Sequence, residues 1–220
     1  RDKWKLFYYS LNDWDPIHLE RGICRKTLKG STREKILESA ADEFARSGFA
    51  KTNIDNISVN AGFGKGTIYN YFKNKLDLFL AIVTKYTADL IAEIELAIKN
   101  ISDPVEKMKQ VIAIDFHFIS KNRDLCTIIL KESYTVDKNR QKDFLEATYP
   151  IFKIYSDLIA EGVATGCYGH DIDPNISAAS IMGMIESVAL MNVLVDYSLG
   201  TMDELVERIV NILLKGIEKK

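Results

Sequence analysis

The chain has 220 residues, 47% of them hydrophobic and 27% charged, with a net charge of −2, the make-up of a globular protein with a sizeable core. Its longest apolar runs, such as Val188-Ala-Leu-Met191, fall far short of a membrane span, and no charged-then-apolar leader opens it. Three scattered cysteines, Cys24, Cys126 and Cys167, argue against a disulfide framework and for a reducing, cytoplasmic setting.

The charge is unevenly spread. Residues 51–75 hold four lysines against one aspartate, and residues 1–30 hold seven Lys/Arg against four Asp/Glu. Residues 76–220 are correspondingly acidic. A basic N-terminal part on an acidic body suits a protein that touches nucleic acid at one end.

Residues 1–30 contain Trp4, Phe7, Tyr8, Tyr9 and Trp14 without clear caps; they are set apart as an extension of uncertain origin. Helical periodicity then runs nearly throughout, so the expected class is all-α. Ser31-Thr-Arg-Glu34 reads as a capping box, followed by an apolar stripe of Ile36, Leu37, Ala40, Ala41 and Phe44 that stops at Gly48. This predicts a first helix over 32–47. Thr52 or Asn53 caps a short second helix that turns Ile54, Ile57 and Ala61 inward and closes at Gly62. Residues 65–72 form a third, and Asn74 caps a long fourth from Lys75 to about Ile98.

Asp103-Pro104 opens a fifth helix running to about Ser120, and a sixth spans 122–134. Residues 138–165 are helical in pattern, with Pro150 expected to kink or divide them. A loop from Gly166 to Pro174 leads to two last helices, 175–197 and 202–217, separated by Gly200.

The third helix is the most informative. Wound at about 100° per residue, Ile68 and Phe72 share one face, while Gly66, Thr67 and Asn70 lie opposite and Tyr69 and Tyr71 flank the sides. Helices this short do not persist alone in water, so they must rest on the first and fourth. A three-helix unit whose last helix is small and polar outward is the helix-turn-helix plan, with that helix in the major groove. Gly66 permits close backbone approach, Thr67 and Asn70 reach base edges or phosphate, and the flanking phenols and lysines meet phosphates.

The stretch Arg33-Glu-Lys-Ile-Leu37, Ala41-Asp-Glu-Phe-Ala45, Gly48-Phe-Ala-Lys-Thr52, Ile57, Ala61-Gly62, Lys65-Gly-Thr-Ile-Tyr-Asn-Tyr-Phe72 and Lys75 resembles the TetR family of transcriptional regulators. The resemblance implies a three-helix DNA-binding domain over 31–75 and a helical effector-binding and dimerisation domain over 76–220. It implies double-stranded DNA, a small-molecule effector and a second copy of the chain as partners; no membrane partner and no cofactor are expected. By position it sets Thr52 and Lys75 on phosphates, Lys65, Gly66, Thr67 and Asn70 at the groove, and Tyr69 and Tyr71 against base or backbone. Two residues depart from the family's pattern. Gly64 stands where a hydroxyl residue often caps the third helix, and Asn70 replaces a common histidine, which would favour adenine.

In the body, Phe116, His117, Phe118, Tyr134, Phe144, Tyr149, Phe152 and Tyr155 are candidate effector-pocket residues, with Cys126 and Glu132 as polar companions. The last two helices are apolar almost all round. Ile181, Met184, Ile185, Val188, Met191, Leu205, Ile209 and Leu213 are the candidate dimer interface, and Ala179, Gly183 and Ala189 permit close approach; the same pattern also fits a helix wholly inside one chain. Two regulatory alternatives are control by a protein partner and control by redox at Cys126. From another class, a helical enzyme or adaptor lacks an organised nucleophile, and His170-Asp-Ile-Asp173 beside Cys167 is a weak metal candidate.

Overall fold

In the structure, a computed structural model describing residues 31–135, 138–194 and 200–217, the predicted helices form within a few residues of their expected bounds. Among the described residues there are nine: α1 (Thr32–Lys51), α2 (Ile54–Ala61), α3 (Lys65–Tyr71), α4 (Lys75–Ile98), α5 (Pro104–Lys121), α6 (Arg123–Thr135), α7 (Lys138–Ala164), α8 (Pro174–Leu194) and α9 (Met202–Ile217).

The caps are those the sequence marks. Ser31 Oγ accepts from the Glu34 N–H at 3.2 Å. The stop at Gly48 appears as a break (φ 73°, ψ 161°) followed by one more turn to Lys51. Asn53, not Thr52, caps α2, accepting from the Asp55 N–H at 2.9 Å. Gly62 closes α2 in the left-handed region, which a side chain would strain. At α4, Asn74 Oδ1 accepts from Asp77 N–H while Asp77 Oδ2 accepts from Lys73 N–H, a reciprocal cap. Asp103 caps α5 by accepting from the Val105 N–H, and Asp173, read in the sequence as part of a loop, caps α8 by accepting from the Asn175 and Ile176 N–H groups. That places Asp173 of the weak metal candidate in a cap; among the described residues no three His, Cys, Asp or Glu side chains gather to hold a metal.

Of the two outcomes expected at Pro150, a kink or a division, the division is corrected. Pro150 does not divide α7, which continues from Lys138 to Ala164. Proline inside a helix costs about 3 kcal/mol, but α7 is gripped on both sides of it. Phe144 is buried in one core, and Tyr155, Leu158 and Ile159 in another, each fully buried large side chain contributing about 1.5–3 kcal/mol.

Those two cores organise everything from Lys35 onward, which forms one unit. The first gathers Ile36, Phe44, Ile57, Ile68, Phe72 and Phe79 from α1 to α4, and is closed by Leu125 and Ile128 of α6 and Phe144 of α7. The second gathers Ile94, Met108, Ile112, Phe116, Tyr155, Ile159, Ile181, Ile185 and Ile209 from α4, α5, α7, α8 and α9. Helices α4 and α7 serve both, so packing crosses the boundary expected at residue 75. Tyr168 pins the loop before α8: its fully buried ring lies against Gly162, where an added Cβ would meet the ring at 2.2 Å. Among the described residues no helix is long and apolar enough to cross a membrane.

Candidate nucleic-acid interface

Helix α3 is anchored by a single buried residue of its own, Ile68, with Phe72 buried just beyond its end. Gly66, Tyr69, Asn70 and Tyr71 are exposed and Thr67 is half-buried. Among the described residues, the side chains of Thr67, Asn70 and Tyr71 make no hydrogen bond to the protein. The polar atoms of Asn70 and Tyr71 face solvent. Gly64 precedes the helix without a side-chain cap, as its lack of a hydroxyl requires.

A Cβ added at Gly66 would meet nothing within 4 Å, and the backbone there is ordinary helix. Glycine in a helix costs about 0.5–1 kcal/mol relative to alanine. No contact inside the protein calls for a glycine at this position.

The lysines differ from one another. Lys65 forms an ion pair with Asp55 at 2.8 Å, which raises its proton affinity and ties α3 to α2. Lys75 is half-buried. Its ammonium donates to the carbonyls of Ala50 (3.1 Å) and Thr52 (3.3 Å) and lies 4.9 Å from the centre of the Phe49 ring. Two of its three protons are thereby committed, holding the charge at a fixed point with the third free to reach an anion. Thr52 is corrected. It is only 6% exposed, and its hydroxyl donates to the Gly48 carbonyl at 2.7 Å. Its side chain faces inward because the turn after Gly48 needs that bond; its carbonyl holds Lys75.

The body's candidates scatter. Phe116 and Tyr155 are fully buried in the second core, and Tyr149 and Phe152 stack half-buried with centroids 5.7 Å apart. His117 is exposed on the far side of α5, which corrects the expectation that it lines a pocket. Phe144 is corrected too: it belongs to the first core, against Phe79. The Tyr134 side chain lies outside the described residues. Cys126 is half-buried, and burial pushes its thiol up to about 12.

A polar group that the periodicity did not single out sits at the centre of the body. Asp115, 8% exposed, accepts from the Tyr155 hydroxyl at 2.9 Å, and burial pushes its carboxyl up to about 6. Burial, with Asp115 nearby, also raises Glu186. The signal was available: Asp115 interrupts the apolar stripe Met108, Val111, Ile112, Phe116 of α5.

The dimer candidates also divide. Ile181, Ile185, Leu205, Ile209 and Leu213 are buried within the chain's own cores, so they are corrected as interface contacts. Met184 and Val188 are half-buried, and Met191 is 56% exposed. The outward face of α8 consists of Ile176 (66% exposed), Ala179, Ser180, Gly183, Ser187 and Met191, with Ile212 exposed on α9. Its alternation of small and apolar residues was hidden by a helix that is apolar on nearly every side.

Known proteins share this fold. The family described as bacterial regulatory proteins, tetR family, matches residues 36–82, and the tetracyclin repressor-like C-terminal domain matches residues 102–190. The chain is 24% identical over 186 residues to the fatty acid metabolism regulator protein of Bacillus subtilis, covering 84% of this chain and 95% of that one. It is 26% identical over 147 residues to the transcriptional repressor KstR2 of Mycolicibacterium smegmatis, covering 66% and 72%. Among solved structures, FadR of Bacillus subtilis in complex with stearoyl-CoA superposes with a TM-score of 0.78 at 23% identity, covering 84% of this chain and 99% of that one.

Proposed function

The chain belongs to the TetR family of bacterial regulatory proteins, and from that premise we propose that it is a homodimeric repressor which reads a near-palindromic operator with α3. It is a DNA-binding transcriptional regulator, not an enzyme, and it works where bacterial DNA lies, in the cytoplasm. Gly66 carries the assignment of the reading surface, because its missing side chain serves no contact inside the fold. Thr67, Asn70, Tyr69 and Tyr71 supply polar groups to base edges and backbone. Lys65 and Lys75 face phosphates, with Thr52 holding Lys75 in place through its carbonyl.

Two copies pair through the outward face of α8, where Gly183 lets helices approach closely, with Ile212 of α9 as a further exposed apolar residue. A two-fold axis then sets the two α3 helices about one DNA turn apart. The body binds a small-molecule effector. We take that molecule to have an extended apolar part, since half-buried Ile119, Ile151, Phe152, Met182 and Met184 border the second core and one structural neighbour holds stearoyl-CoA. Effector binding favours a splayed dimer. To empty most operators it must prefer that state by about 5 kcal/mol. Redox control at Cys126 is not favoured, because the thiolate is the reactive form and burial suppresses it.

Gel shifts with the DNA upstream of its gene test this reading. Affinity should fall steeply between about 50 and 200 mM salt as phosphate contacts are screened, and stearoyl-CoA should release the DNA if the apolar-effector assignment holds. Absence of binding at the lower salt would overturn the reading.

A further inference from the structure

Two charged residues among those described are buried, Asp115 and Glu43. Asp115 is pushed toward its neutral form, whereas Glu43 is held below the usual carboxylate range, first by the Asn56 amide and further by Arg46 and Ser47. A buried ionised carboxylate is costly unless donors surround it, and Glu43 has three. Asn56 Nδ2 donates at 3.1 Å and Ser47 Oγ at 3.2 Å, and the Arg46 guanidinium pairs with the other oxygen.

These partners connect helices that apolar contacts alone would leave free to slide. Glu43 lies on α1 and Asn56 in the first turn of α2. The residue beside it, Asp55, pairs with Lys65 at the start of α3. Two polar ties therefore meet on α2: Arg46 and Glu43 hold Asn56, and Asp55, its backbone neighbour, holds Lys65. Ile57 and Ile68 press the same helices together without directional preference. The Ser39 hydroxyl adds a second tie by donating to the Ile57 carbonyl at 3.0 Å.

We propose that Glu43 is a positioning residue for DNA recognition: its carboxylate, bonded to Asn56, fixes the rotation of α2 on α1, and through the Asp55–Lys65 pair it sets how α3 meets the groove. The proposal rests on α3 being the reading helix. Glu43 touches no DNA in this scheme; it acts on discrimination.

The test compares a duplex selected by the wild-type protein from a random pool with a scrambled duplex of equal composition, alongside thermal melting. Glu43→Leu keeps the volume and removes the network, and a buried charge replaced by an apolar side chain can be stable. It should melt within a few degrees of wild type, bind the scrambled duplex within about two-fold, and lose at least ten-fold on the selected one. Glu43→Gln, which keeps an acceptor for Asn56, should recover part of that loss. Should Glu43→Leu fail to fold, Asn56→Ala, at an exposed position, should show the same loss of discrimination. Unchanged discrimination in the folded variants would overturn the proposal, as would equal losses on both duplexes. If wild-type protein selects no duplex, the reading helix is wrong and not Glu43 alone.

Discussion

The Phe144 ring of α7 lies 5.9 Å from the Phe79 ring of α4, inclined at 46°, and Phe79 in turn meets Phe44 of α1 at 5.0 Å. Three aromatic rings thus join the body to the first helix of the DNA-binding head in one core. The head's interior is completed by a residue far along the chain. Phe144→Ala should cost about 3–5 kcal/mol. Amide hydrogen exchange should quicken across Ile36–Phe44 as well as around residue 144. Exchange unchanged in α1 would show that the head is stable without the body.

Gly66→Ala separates stability from binding. The added methyl meets nothing inside the protein, so the free chain should gain about 0.5–1 kcal/mol in thermal or urea unfolding. Operator affinity should fall by at least about ten-fold, a difference of 1.4 kcal/mol. A variant that is both more stable and equally tight would remove α3 from the interface.

Lys75 and the outer residues of α3 should fail in different ways. Lys75→Ala is expected to weaken all duplexes alike and to reduce the salt slope by about one. Thr67→Ala and Asn70→Ala should change the preferred base at single positions, by about 1–3 kcal/mol each. Competition gel shifts over a set of point-substituted operators distinguish the two patterns. If Asn70→Ala leaves base preference intact, its adenine assignment fails.

Asp115 makes stability depend on pH in a defined sense. Its carboxyl, ordinarily near 3.8, rises to about 6 in the folded chain, so between these values the folded state holds a proton that the unfolded state has lost. Its contribution therefore falls as pH rises from about 4 to 6 and stays lost above. The full effect is on the order of 2–3 kcal/mol. Glu186 shifts in the same direction. Asp115→Asn should flatten the dependence and be the more stable protein at pH 7.5, as melting curves from pH 5 to 8 would reveal. Parallel curves for the two proteins would refute the assignment.

The pairing surface is tested at Gly183, which is exposed and has open space where a Cβ would stand. Gly183→Glu should leave the single chain folded, since nothing inside it is touched. It should convert a dimer to a monomer in light scattering and abolish tight operator binding. A Leu205→Ala change should instead lower stability, because Leu205 is 4% exposed within one chain.

The sequence by itself determined most of the helices and caps and the helix-turn-helix head. These depend on neighbours three or four positions apart: Ser31 with Glu34, Asn74 with Asp77, Ile68 with Phe72. Periodicity set Ile68 inward and Asn70 outward, and the glycine at 66 was legible for the same reason. Tertiary structure alone decided the rest, because it depends on which apolar face meets which helix. It turned Phe144 toward the head, His117 outward and Thr52 into its own turn. It showed that α7 remains one helix across Pro150, with buried residues on both flanks. On α8, apolar on nearly every side, periodicity gives no inward direction; only packing decided that Ile181 and Ile185 fill the chain's own core and that Gly183 and Met191 face outward.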